Sequence, residues 1–240
     1  MDKPSIAFIL SLLFLLWNCV GYNVKKEGVY YDTFDEARGS GGFFIEEADP
    51  KTFETLEHEY GKDKNAAYYQ GRIIPGSDPL TFKVLTRLYA KDMFNGYYAG
   101  DSIAGSDGLT FRVIDDYFSS DRKDIFYTTM PLKVCSVVNF KIFENETKES
   151  DYERWATDGC SYFFNNYKIP SDDYENIFLF RGSAGFAKDT EWVYYRDLKI
   201  NFNNEGKRIL NAASFTIKGH LDCSNKYGCI NVLHGRKDCE

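Results

Sequence analysis

The chain has 240 residues, 43% of them hydrophobic, 17% aromatic and 27% charged. This is enough apolar material for a packed core and excludes disorder by composition. The formal net charge of −7 repels phosphate backbones and argues against a nucleic-acid partner. The 18 tyrosines and 20 phenylalanines favour strands over helices.

Lys3 precedes an apolar run from Ile6 to Trp17, broken only by Ser11. The run is too short to span a bilayer, which takes about twenty residues, and has the form of a signal-peptide core. Residues 1–21 therefore read as an export signal. Cys19 and Gly21 stand at −3 and −1 for cleavage before Tyr22. Cys19 also directly follows the apolar run, which is where a lipoprotein carries its lipid. Lipidation at Cys19 and simple secretion both stay open, and periplasmic, outer-membrane-anchored and secreted destinations all follow from export.

Residues 22–59 read as a degenerate first repeat, with Tyr30-Tyr31 and Thr52-Phe53. Residues 60–143 carry regular repeats. From Asp63 an aromatic pair follows at Tyr68-Tyr69 and a Thr-Phe pair at Thr81-Phe82. From Asp92 the same offsets give Tyr97-Tyr98 and Thr110-Phe111, and from Asp121 they give Phe126-Tyr127 and Asn139-Phe140. Asp158 leads to Phe163-Phe164, and Asp189 to Tyr194-Tyr195. An aromatic stands three residues before each aspartate: Tyr60, Tyr89, Phe118, Trp155 and Phe186. Self-similarity at this period is the mark of a repeat architecture. Residues 144–219 hold irregular repeats with insertions, among them the charged stretch 144–153 with an Asn145-Glu146-Thr147 sequon. Residues 220–240 read as a cysteine-rich cap.

The units, about 29–37 residues apart, read as two- or three-stranded hairpins or meanders in an all-β fold. Asn95-Gly96 is a hairpin signal. Asp49-Pro50 and Asp78-Pro79 predict single helical turns, with aspartate as the cap and proline at the first helical position. An open array of tandem units and a closed, propeller-like ring are both compatible with this pattern. Units of twenty-nine residues are short for a four-stranded blade, which favours the open array.

The segment Asp63-Lys64-Asn65-Ala66-Ala67-Tyr68-Tyr69-Gln70-Gly71, followed by Ile74-Pro75-Gly76-Ser77-Asp78-Pro79 and Thr81-Phe82-Lys83-Val84-Leu85, resembles the bacterial DKNYY repeat family, closely over Tyr60 to Phe111. The resemblance implies an exported or envelope-associated bacterial repeat protein and carries over no catalytic residues. The chain departs from the motif at Met93-Phe94 and Arg122-Lys123, and its cysteines lie outside it.

Five cysteines follow the signal: Cys135, Cys160, Cys223, Cys229 and Cys239. In an exported protein they predict disulfides, one between Cys135 and Cys160 and one among the last three, with one thiol left over. His220, Cys223, Cys229, His234 and Cys239 could instead form a zinc set, although their spacing is irregular and disulfides compete for the thiols. The repeated aspartates read as Asx-turns in preference to calcium ligands, since one carboxylate per unit does not build a calcium loop.

Neighbours on a strand point to opposite faces. One ring of each pair among Tyr68, Tyr69, Tyr97, Tyr98, Tyr194 and Tyr195 is therefore expected inward and one outward. Outward rings could bind a protein or carbohydrate partner; alternatively the rings serve only the packing. Phosphate loops and a Gly-x-Ser-x-Gly elbow are missing, and His58 sits among Glu57 and Glu59. The sequence thus predicts a binding or structural role, no cofactor, and membrane contact only through the signal peptide or a lipid. A hydrolase or metal-dependent enzyme of another type is the alternative.

Overall fold

A computed structural model describes residues 20–37, 39–57, 59–143, 153–181, 185–201, 212–217, 222–225, 228–231 and 235–237. Among them the fold is antiparallel β throughout, with single 3₁₀ turns at Tyr174–Asn176 and Ala212–Ser214. No helix among the described residues is long and apolar enough to cross a membrane. The chain divides into two compact units, 1–121 and 122–240.

In the first unit, the first meander has three strands, Gly21–Lys25, Gly28–Asp35 and Gly39–Ile45. The second has four: Glu54–Thr55, Tyr60–Lys62, Ala67–Tyr69 and Arg72–Ile74. The third repeats this with Lys83–Val84, Tyr89–Lys91, Gly96–Tyr98 and Asp101–Ser102. Arg112–Val113 and Phe118–Ser120 form a further antiparallel pair. In the second unit, a hairpin joins Ile125–Tyr127 to Met130–Pro131. Three four-stranded meanders follow, beginning at Lys141–Ile142, Phe178–Phe180 and Thr216–Ile217. The segment read as a cysteine-rich cap supplies three strands of the last one, Asp222–Asn225, Gly228–Asn231 and Gly235–Lys237. Every sheet is strictly sequential, and none closes on itself. This is the tandem meander architecture expected of the repeats.

The units nevertheless carry four strands where two or three were expected. Four fit into twenty-nine residues because each strand is only two or three residues long and its turns are minimal. Tyr69 pairs with Arg72, and Tyr98 with Asp101. That leaves two-residue turns at Gln70-Gly71 (φ 47° and 75°) and Ala99-Gly100 (φ 49° and 86°). Two successive positive φ angles define the turn whose twist matches antiparallel strands. The first side chain of each turn, Gln70 or Ala99, sits in the left-handed region that glycine adopts freely.

The expected Asn95-Gly96 hairpin does not form. Gly96 already lies in the strand, opposite Lys91. The turn is Asp92–Asn95, closed by the Asp92 N–H donating to the Asn95 carbonyl at 3.0 Å. Gly96 answers a packing need: a Cβ there would lie 2.4 Å from the Phe111 ring. Gly61 does the same toward Phe53, at 2.5 Å. Phe53 and Phe111, each from a Thr-Phe pair, thus pack closely on the backbone of a neighbouring strand.

Within each unit a meander packs on its chain neighbours. In the first unit Tyr68 packs with Val29, Tyr31 and Ile45 of the first meander. On the opposite face Tyr60, Ala67 and Ile74 pack with Phe82, Ala90 and Tyr97 of the third. In the second unit Trp155, Phe164 and Ile169 meet Ala187 and Tyr194, and Phe186 and Val193 meet Ala212 and Phe215. A sheet with a layer on either side turns its period-2 alternation to two cores, as the second meander does. Aromatics dominate both because a two-residue strand needs large side chains to bury useful area. Lysines just before the repeat aspartate tie the layers further: Lys91 donates to the Phe111 carbonyl (3.1 Å), and Lys188 to those of Ala212 (3.0 Å) and Phe215 (3.2 Å).

Because the Gly96–Phe111 contact leaves no room for a methyl group, Gly96→Ala is expected to destabilise the protein by about 1–3 kcal/mol. Urea unfolding of the variant measures this, and Gly76→Ala cannot serve as its control, because its φ of 71° introduces strain of its own.

Candidate functional site

The chemistry-bearing residues repeated along the chain are the aspartates and the tyrosines, and the fold brings them together inside each layer. A carboxylate offers two oxygens with roughly four acceptor positions. At Asp63 all four are used. Oδ1 accepts the N–H groups of Asn65 (2.7 Å) and Ala66 (2.9 Å). Oδ2 accepts the N–H of Asp49 (2.7 Å) and the hydroxyl of Tyr68 (3.1 Å). Asp92 repeats the set with Phe94 (2.7 Å), Asn95 (2.8 Å), Asp78 (2.9 Å) and Tyr97 (2.6 Å). Asp189 takes the N–H groups of Glu191 (2.9 Å) and Trp192 (2.6 Å), the Ser171 hydroxyl (2.7 Å) and the Tyr194 hydroxyl. Asp121 accepts the Asp107 N–H at 2.9 Å.

Each carboxylate therefore makes the expected Asx-turn and a second connection that residue types alone do not reveal. At Asp189 the other oxygen takes the Ser171 hydroxyl, eighteen residues earlier, whereas at Asp63, Asp92 and Asp121 one oxygen grips a backbone N–H of the turn fourteen residues earlier. That turn is itself fixed by an aspartate. Asp78 accepts from the Leu80 N–H (3.3 Å) and the Thr81 hydroxyl, and Thr81 Oγ1 accepts the Met93 N–H (3.0 Å). The Asp-Pro signals thus mark single turns closed between residues three apart, such as Thr81 N–H to the Asp78 carbonyl at 3.3 Å. A serine adds another clamp. Ser77 Oγ accepts the Ala67 N–H (2.9 Å) and donates to the Ile74 carbonyl (2.8 Å); Ser106 does the same for Gly96 and Ile103. The constant spacings Asp49–Asp63, Asp78–Asp92 and Asp107–Asp121 were the available signal for the grip.

These carboxylates are buried, and burial pushes their pKa upward. The hydrogen bonds converging on Asp63, Asp92 and Asp189 outweigh it and hold all three below the ordinary carboxylate value. Burial and the adjacent aspartate together push the hydroxyls of Tyr68, Tyr97 and Tyr194 upward. The pair is thus a neutral donor on a fixed anion.

The tyrosine pairs split as strand alternation predicts. Tyr68, Tyr97 and Tyr194 are completely buried and are not available to a partner; the expectation that they could be contact residues is corrected by their place in the core. Tyr69, Tyr98 and Tyr195 are half-buried. Each lies against the aromatic opposite it: Tyr69 on Tyr60 (4.7 Å between ring centres), Tyr98 on Tyr89 (5.0 Å) and Tyr195 on Phe186 (4.9 Å). The Arg196 guanidinium also covers Tyr195 at 5.0 Å. The outward members thus keep part of their surface in solvent while supporting the layer.

Cys135 and Cys160 form a disulfide, with Cα atoms 6.5 Å apart. Asp158 holds both half-cystines: its Oδ2 accepts the Cys135 N–H (2.8 Å), and its Oδ1 those of Cys160 (2.9 Å) and Ser161 (2.7 Å). Cys135 occupies the place that Asp78 and Asp107 hold elsewhere. Among the described residues Cys135, Asp158 and Cys160 are the one cluster with metal-ligand chemistry; their sulfurs are joined and their carboxylate is occupied by N–H groups, so they do not suit a cation. Cys223 lies opposite Ile230, and Cys229 opposite Ser224, on neighbouring strands. Cys19, Cys239, His58, His220 and His234 lie outside the described residues.

The repeat unit is thus an aspartate–tyrosine–turn constellation, and it matches a known family profile over residues 22–167. The chain belongs to the DKNYY family. The DKNYY match reaches well beyond Tyr60 to Phe111, taking in the first meander and the repeat of Asp158. Searches of the curated proteins and of the solved structures give no match.

Removing the Asp92 carboxylate leaves the buried Tyr97 hydroxyl and the part-buried N–H groups of Phe94, Asn95 and Asp78 without their acceptor. Asp92→Ala is expected to cost about 3 kcal/mol or more, and Tyr97→Phe only about 1 kcal/mol, in chemical denaturation. Acid should act through the same groups. Because Asp63, Asp92 and Asp189 titrate lower in the fold than in the unfolded chain, at about 3.9, the unfolded state takes up protons first. Stability is fully present above about pH 4 and is lost as the pH falls through the lowered folded values. Denaturation midpoints measured across this range should fall with acidification, less steeply in Asp92→Asn.

Proposed function

We propose that this chain is an exported, envelope-associated bacterial repeat protein with a binding or structural role. The observation that carries the reading is the Cys135–Cys160 disulfide built into the repeat's own hydrogen-bond scheme, with Asp158 holding both half-cystine N–H groups. Disulfides of this structural kind persist in oxidising compartments. The apolar run Ile6–Trp17 ahead of Cys19 agrees with export.

The binding or structural role is supported by where the repeated residues spend their chemistry. The aspartates are saturated by backbone and tyrosine donors, and the buried tyrosines serve them. What three of the layers present outward is a half-buried ring, Tyr69, Tyr98 or Tyr195. A partially exposed aromatic on a rigid layer suits a protein or carbohydrate partner. The net charge of −7 disfavours nucleic acid. Contact with the membrane would come through the signal peptide or a lipid on Cys19.

Mass spectrometry of the protein made in a bacterial host with its own N-terminus tests this. The expected product either begins at Tyr22 or carries a diacylglycerol adduct on Cys19, with Cys135 and Cys160 oxidised. A full-length cytoplasmic product with both thiols reduced would overturn the reading. The disulfide closes a loop of 25 residues, so Cys160→Ser is expected to cost about 3 kcal/mol in thermal or urea unfolding.

A further inference from the structure

The first meander begins the stack of the first unit. One of its faces carries Val29, Tyr31 and Ile45 onto Tyr68 of the second meander. Within the unit no layer lies on its other face. Strand register fixes which side chains stand there. Asn23 and Phe44 lie opposite Tyr30 on the two flanking strands. Asp32 and Phe34 follow Tyr30 at the period of two that keeps side chains on one face. The contacts agree. The Phe44 ring is centred 5.3 Å from that of Tyr30 and fills the space above Gly28. The Lys25 ammonium stands 4.6 Å over Tyr30, and the Asn23 amide donates to the Asp32 carboxylate at 3.2 Å.

Two observations mark this face as one that a partner covers. Tyr30 has Asn23 and Phe44 as cross-strand partners where Tyr68 has Gly61 and Ile73, and Tyr68 is completely buried against the first meander. The first meander therefore turns to solvent the face with which the second receives its predecessor. The second observation is chemical. A repeat that ends an array in water carries a polar outer face. Here Phe34 and Phe44 are 53% and 50% exposed, beside a half-buried Tyr30. Neighbouring exposed aromatics on one rigid face mark an interaction surface.

The charges point to what covers it. Lys25 lies two residues to one side of the row Asn23–Tyr30–Phe44 and Asp32 two residues to the other. A uniformly acidic or basic partner would match one of these charges and oppose the other. A second copy matches both. Turning it by 180° about an axis along that row reverses the strand direction, stacks the two aromatic rows and brings Lys25 of each copy to Asp32 of the other. Phe34 of each copy then reaches the Lys26-Glu27 turn of the other.

We propose that the chain forms a two-fold dimer through the outer face of its first meander, with the Tyr30–Phe44 pairs stacked at the axis and Lys25 paired with Asp32 across it. Such an isologous contact closes at two copies. The dimer goes beyond the export and outward-ring reading above and rests on neither, so the two fail independently.

Sedimentation velocity of the chain from Tyr22 to Glu240, from about 1 μM to about 1 mM, is the test. Strands of five, eight and seven residues give a face of about 24 by 14 Å. That is small for a specific interface, so a monomer–dimer equilibrium with a Kd on the order of 10–100 μM is expected. Amide NMR signals of residues 23–34 and 40–44 should shift over the same range. Phe44→Asp sets two carboxylates against each other at the axis and should weaken the dimer at least about tenfold. Lys25→Asp and Asp32→Lys should each weaken it severalfold, and the double variant should recover it, because the pair is rebuilt with its signs exchanged. The charge exchange keeps the test decisive if Phe44→Asp disturbs the Tyr30 contact. A monomer at every concentration would overturn the proposal, whether or not it binds phosphatidylcholine vesicles. So would a dimer that Phe44→Asp and both single reversals leave intact, a double variant no tighter than the singles, or assemblies that grow past two copies.

Discussion

The structure depends on one buried carboxylate used twice. In each regular repeat one aspartate oxygen closes its own turn, and the other holds the turn that led into the same layer. Without the second bond the strands of two and three residues would be too short to define a register. The side-chain period of a strand is two, so a slip of one residue would exchange the two cores. Fixing both ends of the layer to one anion removes that freedom. The tyrosine hydroxyl that completes the set is dispensable: Phe126 and Phe163 stand at its position and are equally buried. Burial of the ring is the shared requirement, and the hydroxyl is an addition where it occurs.

Much of this was legible in the sequence. The Asp63, Asp92 and Asp121 spacing, the aromatic pairs and the aromatic three residues before each aspartate located the layers, and the Asx-turn reading was right as far as it went. What was not legible has a common cause. The grip on Asp49, Asp78 and Asp107 is made to backbone N–H groups, which every residue but proline possesses, so only the constant fourteen-residue spacing of the aspartates hinted at it. The two-residue turns at Gln70-Gly71 and Ala99-Gly100 were hidden because only their second residue is the expected glycine. Asn95-Gly96 misled for the opposite reason: its glycine answers the Phe111 ring, a contact across layers with no local signature. Strand number was underestimated because a two-residue strand such as Asp101–Ser102 has no periodicity to detect.

The candidate site was partly visible. The split of each tyrosine pair into an inward and an outward ring follows from strand geometry alone. Which ring goes inward does not, since it depends on the aspartate lying on one particular face. A cleft beside Tyr69, between Tyr69–Pro75 and Ala99–Asp101, could not be read from the chain, because its walls come from turns of two successive layers.

The fourteen-residue reach of the aspartate grip also bears on the order in which the chain can fold. A layer's entering turn is secured by an acceptor that follows it closely: Asp107 by Asp121, Asp78 by Asp92. The Tyr60 hydroxyl reaches only 28 residues ahead, to the Leu88 carbonyl. Contacts this local have a small closure cost and favour rapid folding. A chain emerging N-terminus first could complete one layer as the next appears, with little apolar surface left waiting. In the repeat of Asp158 the same connection spans 23 residues, from Cys135. The added loop entropy is under about 0.6 kcal/mol, yet the turn must wait longer for its acceptor, and there the disulfide makes the late closure permanent.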